Sequence, residues 1–259
     1  MKVIIIPRTA RKKSSSGIYH VILRGINRQT VFREDEDCKR LIYTLKNCQD
    51  KSGYIIFAYC LMGNHFHLLI KENAEKLGII MRRIGASYVY WYNSKYERIG
   101  HLFQDRYKSE AVEDESYLLT VTRYIHQNPV KAGIVSDVSN YFWSSYREYL
   151  SSPEVIDPDF LLNIFNNDRE TALTQFKKFH EVSEERDCLD IVEFSKLKDN
   201  EAIQVIQMIS GFSDIKIINR MQKEERNRLL KEIKTKGLST RQIARLTGVN
   251  RNAIIGVKN

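Results

Sequence analysis

Two histidines stand one residue apart in "CLMGNHFHLLIK", Cys60 to Lys71. In an extended strand residues i and i+2 share a face, so His65 and His67 point one way and Phe66, Leu68 and Ile70 the other. Two imidazoles one strand repeat apart can reach one divalent ion; the plainer alternative is a pair of packed or surface rings. Two ligands leave most positions of a six-coordinate ion open, which requires a further protein oxygen. The stretch "RYIHQNPV" offers one. Tyr124 and Asn128 are i and i+4 on a helix, so a phenol and an amide oxygen converge on one point. The alternatives are simple burial for Tyr124 and a C-terminal cap for Asn128.

The elements that must position these groups can be read from local signals. "GIYHVILRG" is alternating and β-branched, a strand from about Ile18 to Leu23. "DEDCKRLIYTLKNCQDKSG" opens on acids and closes on Gly53, a helix with start and stop. "YIIFAYCLM" and "HFHLLIK" flank Gly63-Asn64 as a β-hairpin. A second helix is expected over roughly Glu75 to Asn93, a strand at "RYKSEAV", and a third helix from about Glu113 to Gln127, halting before Pro129. This order predicts an α+β fold, a ferredoxin-like sandwich of helices against an antiparallel sheet, over residues 1–150. "SSPEVIDPD" reads as a linker at 151–160, and 161–259 as an all-α domain.

The chain carries 41 Lys and Arg against 32 Asp and Glu, a net charge of +9 that favours a polyanionic partner. From Met1 to Arg28 every charged side chain is positive. Cys38, Cys48, Cys60 and Cys188 show no C-x-x-C spacing, which argues against a zinc ribbon or a disulfide framework. "MKVIII" is too short for a signal-peptide core, and no long apolar run follows, so a cytoplasmic protein with no membrane partner is expected.

Five blocks, "GIYHVILRGINRQTVF", "FAYCLMGNHFHLLI", "GHLFQDRYKSEAV", "YLLTVTRYIHQNPVKAGIV" and "WSSYREYL", resemble in order the single-tyrosine HUH transposases, in their REP-associated tyrosine transposase branch. The resemblance covers roughly the first 150 residues. It implies an HUH fold in which His65 and His67 are the paired metal ligands, Tyr124 is the nucleophile and Asn128 is the amide-bearing third ligand. Gly63 and Phe142 stand where the branch commonly has proline, departures that touch turn geometry rather than chemistry. The family's activity implies a divalent metal, Mg or Mn, and single-stranded or hairpin DNA that is nicked and rejoined through a 5′-phosphotyrosine. The expected guides for the strand are Arg24, Arg28, Arg106 and Lys108, each of which can equally be a solvated charge. A monomer or a homodimer is expected.

Near the C-terminus, "GLSTRQIARLTGVNRNAIIGVKN" places Ala244, Gly248, Val249 and Ile254 at helix-turn-helix offsets, at about 237–259. Thr240 to Leu246 is the expected first helix. Arg241, Asn250, Arg251 and Asn252 are the expected contacts to flanking duplex. With the preceding "KEERNRLLKEIKTK" the segment is distantly similar to the duplex-binding domain of the DnaA replication initiator. The same pattern also occurs in helical bundles that bind nothing.

Three functions are therefore in play: a metal-dependent DNA transesterase acting through Tyr124, a non-catalytic DNA-binding regulator that recognises hairpin or repeat DNA, and a metallo-phosphodiesterase that activates water.

Overall fold

The computed structural model describes residues 11–183, 188–190, 199–236 and 238–257. The chain divides into two compact units, Met1–Asp190 and Ile191–Asn259.

The first unit follows the order β1 (Ile18–Arg24), α1 (Asp35–Ser52), β2 (Ile55–Met62), β3 (His65–Lys71), α2 (Leu77–Lys95), β4 (Lys108–Val112), α3 (Glu115–Lys131). The four strands form one sheet in the order β2-β3-β1-β4, antiparallel throughout, which is the ferredoxin-like arrangement. Strand alternation gives the sheet two different faces. Phe66 meets Phe32, and Phe32 in turn meets Tyr88 of α2, so this side faces α1 and α2. His20 and His67 meet Tyr124, so the other side faces α3. Helix α1 starts on a capping box of Glu34 and Asp37 and stops at Gly53, whose φ of +64° favours glycine.

Helix α3 departs from expectation by running through Pro129 to Lys131. Proline in the last turn removes one N–H only, and the turn still closes through Ala132 N–H to the Asn128 carbonyl at 2.9 Å. Asn128 is consequently a helical residue, and the cap is Ala132.

The first unit also extends further than residue 150. After α4 (Tyr146–Leu150) come α5 (Asp159–Phe165) and α6 (Arg169–Glu181), whose Leu161, Leu162, Ala172 and Phe176 are buried in the same core as the sheet. The expected linker at 151–160 is a structural segment: Val155 and Ile156 are buried, Ile156 bridges Ile56, and Asp157 N–H donates to the Ile56 carbonyl at 2.9 Å. Together with Leu61 N–H to the Trp143 carbonyl and Ser145 N–H to the Tyr59 carbonyl, it covers the β2 edge, which would otherwise expose unpaired backbone groups. The prolines at 153 and 158 suggest a linker, yet the apolar pair between them belongs to the core. The boundary therefore lies near Asp190, not at 150–161.

The second unit contains α7 (Asp199–Ser210), a 3-10 turn at Ile215–Arg220, α8 (Lys223–Thr235), α9 (Thr240–Thr247) and α10 (Arg251–Gly256). Its core joins Ile206, Ile218, Leu230, Ile233, Ile243 and Ile254. Ser239 caps α9 by accepting from Gln242 N–H, and Gly248 ends it at φ +76°. Of the predicted 237–259 segment, Gly237, Lys258 and Asn259 lie outside the described residues.

Candidate active site

The register of the sheet sets the site. His67 lies opposite Ile22 on one side and Cys60 on the other, while His65 lies opposite Arg24. The two rings are 5.0 Å apart between centroids. Helix α3 crosses this face with the Tyr124 ring 5.9 Å from His67. One turn on, the Asn128 amide donates to the Tyr124 carbonyl at 3.0 Å, and the same amide acts on the phenol. Periodicities of two in a strand and four in a helix thus bring His65, His67, Tyr124 and Asn128 to one place within a single chain.

Two neighbours escape sequence reasoning. His20, on β1, is fully buried and stacks on His67, with Nε2 3.0 Å from His67 Nδ1. Its strand is legible, but its nearness to His67 depends on the pairing register, which local periodicity does not carry. Lys131 places its ammonium 4.7 Å from the centre of the Tyr124 ring. Here a signal existed: Tyr124, Asn128 and Lys131 are i, i+4 and i+7, one helical stripe.

Burial dominates the electrostatics. His20 is lowered to about 3 by burial, and His67 falls well below the usual imidazole range through burial and then the neighbouring His20 and His65. Both rings are therefore neutral near pH 7, the state that ligates metal. The Tyr124 phenol is raised, first by burial and then by the Asp190 carboxylate beside it, with Asn128 acting in the opposite sense.

The donor set fits a divalent cation. Asn64 Oδ1 lies 2.6 Å from His65 Nδ1, so that nitrogen carries the proton and Nε2 the lone pair. His67 Nε2 is buried without a hydrogen-bond partner, an unmet need that a cation would satisfy. A cation on that atom selects the tautomer in which His67 Nδ1–H donates to His20 Nε2. Among the described residues no cluster of three or more His, Cys, Asp or Glu side chains is suited to a metal.

The remaining predicted contacts are dispersed. Arg24 shares the histidine face, next to His65. Lys108 is on that face too, opposite Ile22 and exposed on the edge strand β4. Arg28 is exposed in the turn after β1, at φ +62°. Arg106 lines a groove on the α2 side of the sheet. In the second unit Arg241, Asn250, Arg251 and Asn252 are all exposed, and Asn250 caps α10 by accepting from Asn252 N–H at 2.8 Å.

Residues 13–128 match the model of a family described as IS200-like transposases. Among solved structures, a REP-associated tyrosine transposase bound to a REP hairpin aligns at 17% identity and a TM-score of 0.50, over 57% of this chain and 87% of that one. A structure of a candidate transposase from Deinococcus radiodurans R1 aligns at 16% identity and a TM-score of 0.34, over 47% of this chain and 97% of that one. At 17% identity, the first alignment establishes likeness of fold. No curated protein matches the chain. The family match ends before the C-terminal segment, and none of these matches supports the expected resemblance of that segment to the DnaA domain.

Proposed function

We propose, for a chain whose residues 13–128 match the model of the IS200-like transposases, a DNA strand transferase that nicks and rejoins single-stranded DNA beside hairpins. The observation that carries this reading is the Tyr124 ring lying 5.9 Å from His67 within one chain. A nucleophile and a paired-histidine site that meet in this way need no second subunit to be complete.

A phosphodiester resists attack because its charge repels nucleophiles. A divalent cation, Mg or Mn, held by His65, His67 and Asn128 would supply Lewis-acid stabilisation of the phosphate. Tyr124 Oη loses its proton to solvent and attacks phosphorus: a tyrosyl O–P bond forms, the P–O3′ bond breaks, and the departing 3′ oxygen takes up a proton from solvent. The products are a 5′-phosphotyrosine and a 3′-hydroxyl. Because the linkage keeps its phosphodiester energy, attack by another 3′-hydroxyl rejoins DNA without ATP. Lys131, over the phenol ring, favours its ionised form. Arg24, beside His65, and Lys108, on the same face, carry the charge to hold the flanking phosphates. Arg28, Arg106 and, on duplex, Arg241, Asn250, Arg251 and Asn252 extend the DNA contacts. The activity belongs in the cytoplasm, and none of the described helices is long and apolar enough to cross a membrane.

A second reading has its own support. The Asp190 carboxylate beside Tyr124 raises the phenol and opposes an approaching phosphate, as suits a regulator that binds hairpin DNA without cutting it. Incubation with a labelled hairpin oligonucleotide and Mn separates the two. A covalent adduct that disappears in Tyr124→Phe supports the transferase, and tight binding with no adduct supports the regulator. Cleavage that survives Tyr124→Phe without bound DNA would instead mean water-based hydrolysis.

A further inference from the structure

A groove on the α2 side of the sheet lies away from the histidine face, and of its residues only Arg106 has been given a role. Its inner hollow, about 350 Å³, is lined by Arg82 and Gly85 of α2 and by Phe103, Arg106 and Tyr107 of the loop before β4. A second hollow of about 380 Å³ shares Arg11, Gly78 and Tyr107 with it and adds Lys12, Lys13 and Lys76. Six cations thus face two carboxylates, Glu72 and Asp105. Glu72 is already engaged, accepting from Lys76 Nζ and from Leu77 N–H. The field in the groove is positive.

Gly85 is the informative residue. It sits inside the long helix α2, where glycine is less stable than alanine, and such glycines usually permit a close approach of another segment. None approaches here: a Cβ on Gly85 would meet nothing within 4 Å. The missing side chain keeps space open rather than packing it closed. Across that space stands Phe103, braced from behind by Phe66 and Tyr88 at ring separations of 6.0 and 6.4 Å. Arg11 lies 3.9 Å over the Tyr107 ring and donates to the Tyr107 carbonyl at 2.7 Å. A braced aromatic plane, an open slot and flanking guanidinium groups are the parts that hold an unpaired nucleotide by stacking and by phosphate contact.

The loop is also anchored to the catalytic strand. Gly25 bridges Phe103, and Gln104 N–H donates to the carbonyl of Arg24, whose side chain lies opposite His65. We propose that the groove binds the unpaired DNA flanking the hairpin, with a base in the slot over Gly85 against Phe103 and phosphates on Arg82 and Arg106. This rests on the transferase reading for the identity of the strand.

The test is anisotropy binding in EDTA with two hairpin oligonucleotides, one blunt and one carrying unpaired tails at both ends. Wild type binds the tailed form more tightly. Gly85→Trp fills the slot and weakens tailed binding roughly tenfold or more, leaving the blunt hairpin unchanged. Gly85→Ala binds as wild type and melts no lower, since alanine favours the helix. Arg82→Ala with Arg106→Ala, which spares the helix interior, lowers the salt slope of tailed binding by about 1.4 through loss of two phosphate contacts. Equal tailed binding by wild type and Gly85→Trp, with the slope unchanged in the arginine variant, overturns the proposal. Adduct formation at Tyr124 is scored separately. An adduct with tail binding indifferent to Gly85→Trp sinks the groove alone, whereas slot-dependent tail binding without an adduct upholds the groove and sinks the transferase.

Discussion

As a proposed metal ligand, His67 is placed to be tuned by a residue, His20, that lies behind it in the sheet. If His20 Nε2 accepts from His67 Nδ1–H, the lone pair of His67 faces the cation; without that acceptor the tautomer is free to reverse. His20→Phe is therefore expected to weaken Mn binding by roughly 10- to 100-fold, whereas His20→Gln, whose amide oxygen can accept, loses less. Calorimetric titration with Mn, with no DNA present, measures this, and equal losses in the two variants would refute the tautomer account. At this scale the grouping of the candidate residues, though not their chemical roles, was legible. His65, His67, Tyr124 and Asn128 follow from i+2 and i+4 spacing, while His20 is hidden because it depends on which strand becomes the neighbour of β3.

Helix α6 braces the helix that bears Tyr124. His180 Nδ1–H donates to the Phe176 carbonyl, so His180 Nε2 accepts from His126 Nδ1–H, and His126 Nε2 accepts from the Ser145 hydroxyl. Gln127 donates to the carbonyls of His180 and Val182, and Arg123 lies 4.1 Å over the Phe179 ring. A proton added at His180 Nε2 would face the His126 Nδ1–H, and one added at His126 Nε2 is accepted only once the Ser145 hydroxyl turns to the Tyr59 carbonyl, 3.2 Å away. Burial lowers His180 to about 4, and burial and then His180 hold His126 well below the usual range. Both folded values lie below the unfolded value near 6.5. The unfolded chain therefore takes up protons first as pH falls below 6.5, and stability declines until the folded values are passed, near 4 for His180. Each such proton contributes a slope of up to about 1.4 kcal/mol per pH unit. Urea midpoints at pH 7.5 and 5 check this, and an unchanged midpoint would contradict it. The same brace predicts that a chain ending at residue 150 melts far below one ending at 190, because Phe176, fully buried against Tyr149 at 4.5 Å, is lost with α6. Losing one such aromatic side chain alone costs about 3–5 kcal/mol. Helix existence and most boundaries were readable from caps and periodicity. The allegiance of α5 and α6 was not, because helical spacing says which face is apolar and not which core receives it.

As a whole the chain sets the proposed strand-transfer site in one compact unit and an exposed basic helix pair in another. If the second unit reads duplex, Arg251→Ala weakens duplex binding at every sequence and lowers its salt slope by about 1, while adduct formation on an isolated hairpin is unaffected. Filter binding across a salt series decides it; loss of adduct in the same variant would refute this division of labour. Two-domain organisation was visible in the fading of strand signals after Phe160, although its position was not. One feature of the first unit also makes the molecule its own motion sensor. None of the four cysteines forms a disulfide and all are buried; Cys60 lies within the sheet while Cys188 lies beside Tyr117 and Tyr124, next to the Leu189 N–H that Glu110 accepts at 3.0 Å. Alkylation of Cys60 waits for global opening, but alkylation of Cys188 needs only the 188–190 segment to lift from Tyr124. The ratio of the two labelling rates, read by mass spectrometry with and without hairpin DNA, would time how often the phenol is uncovered.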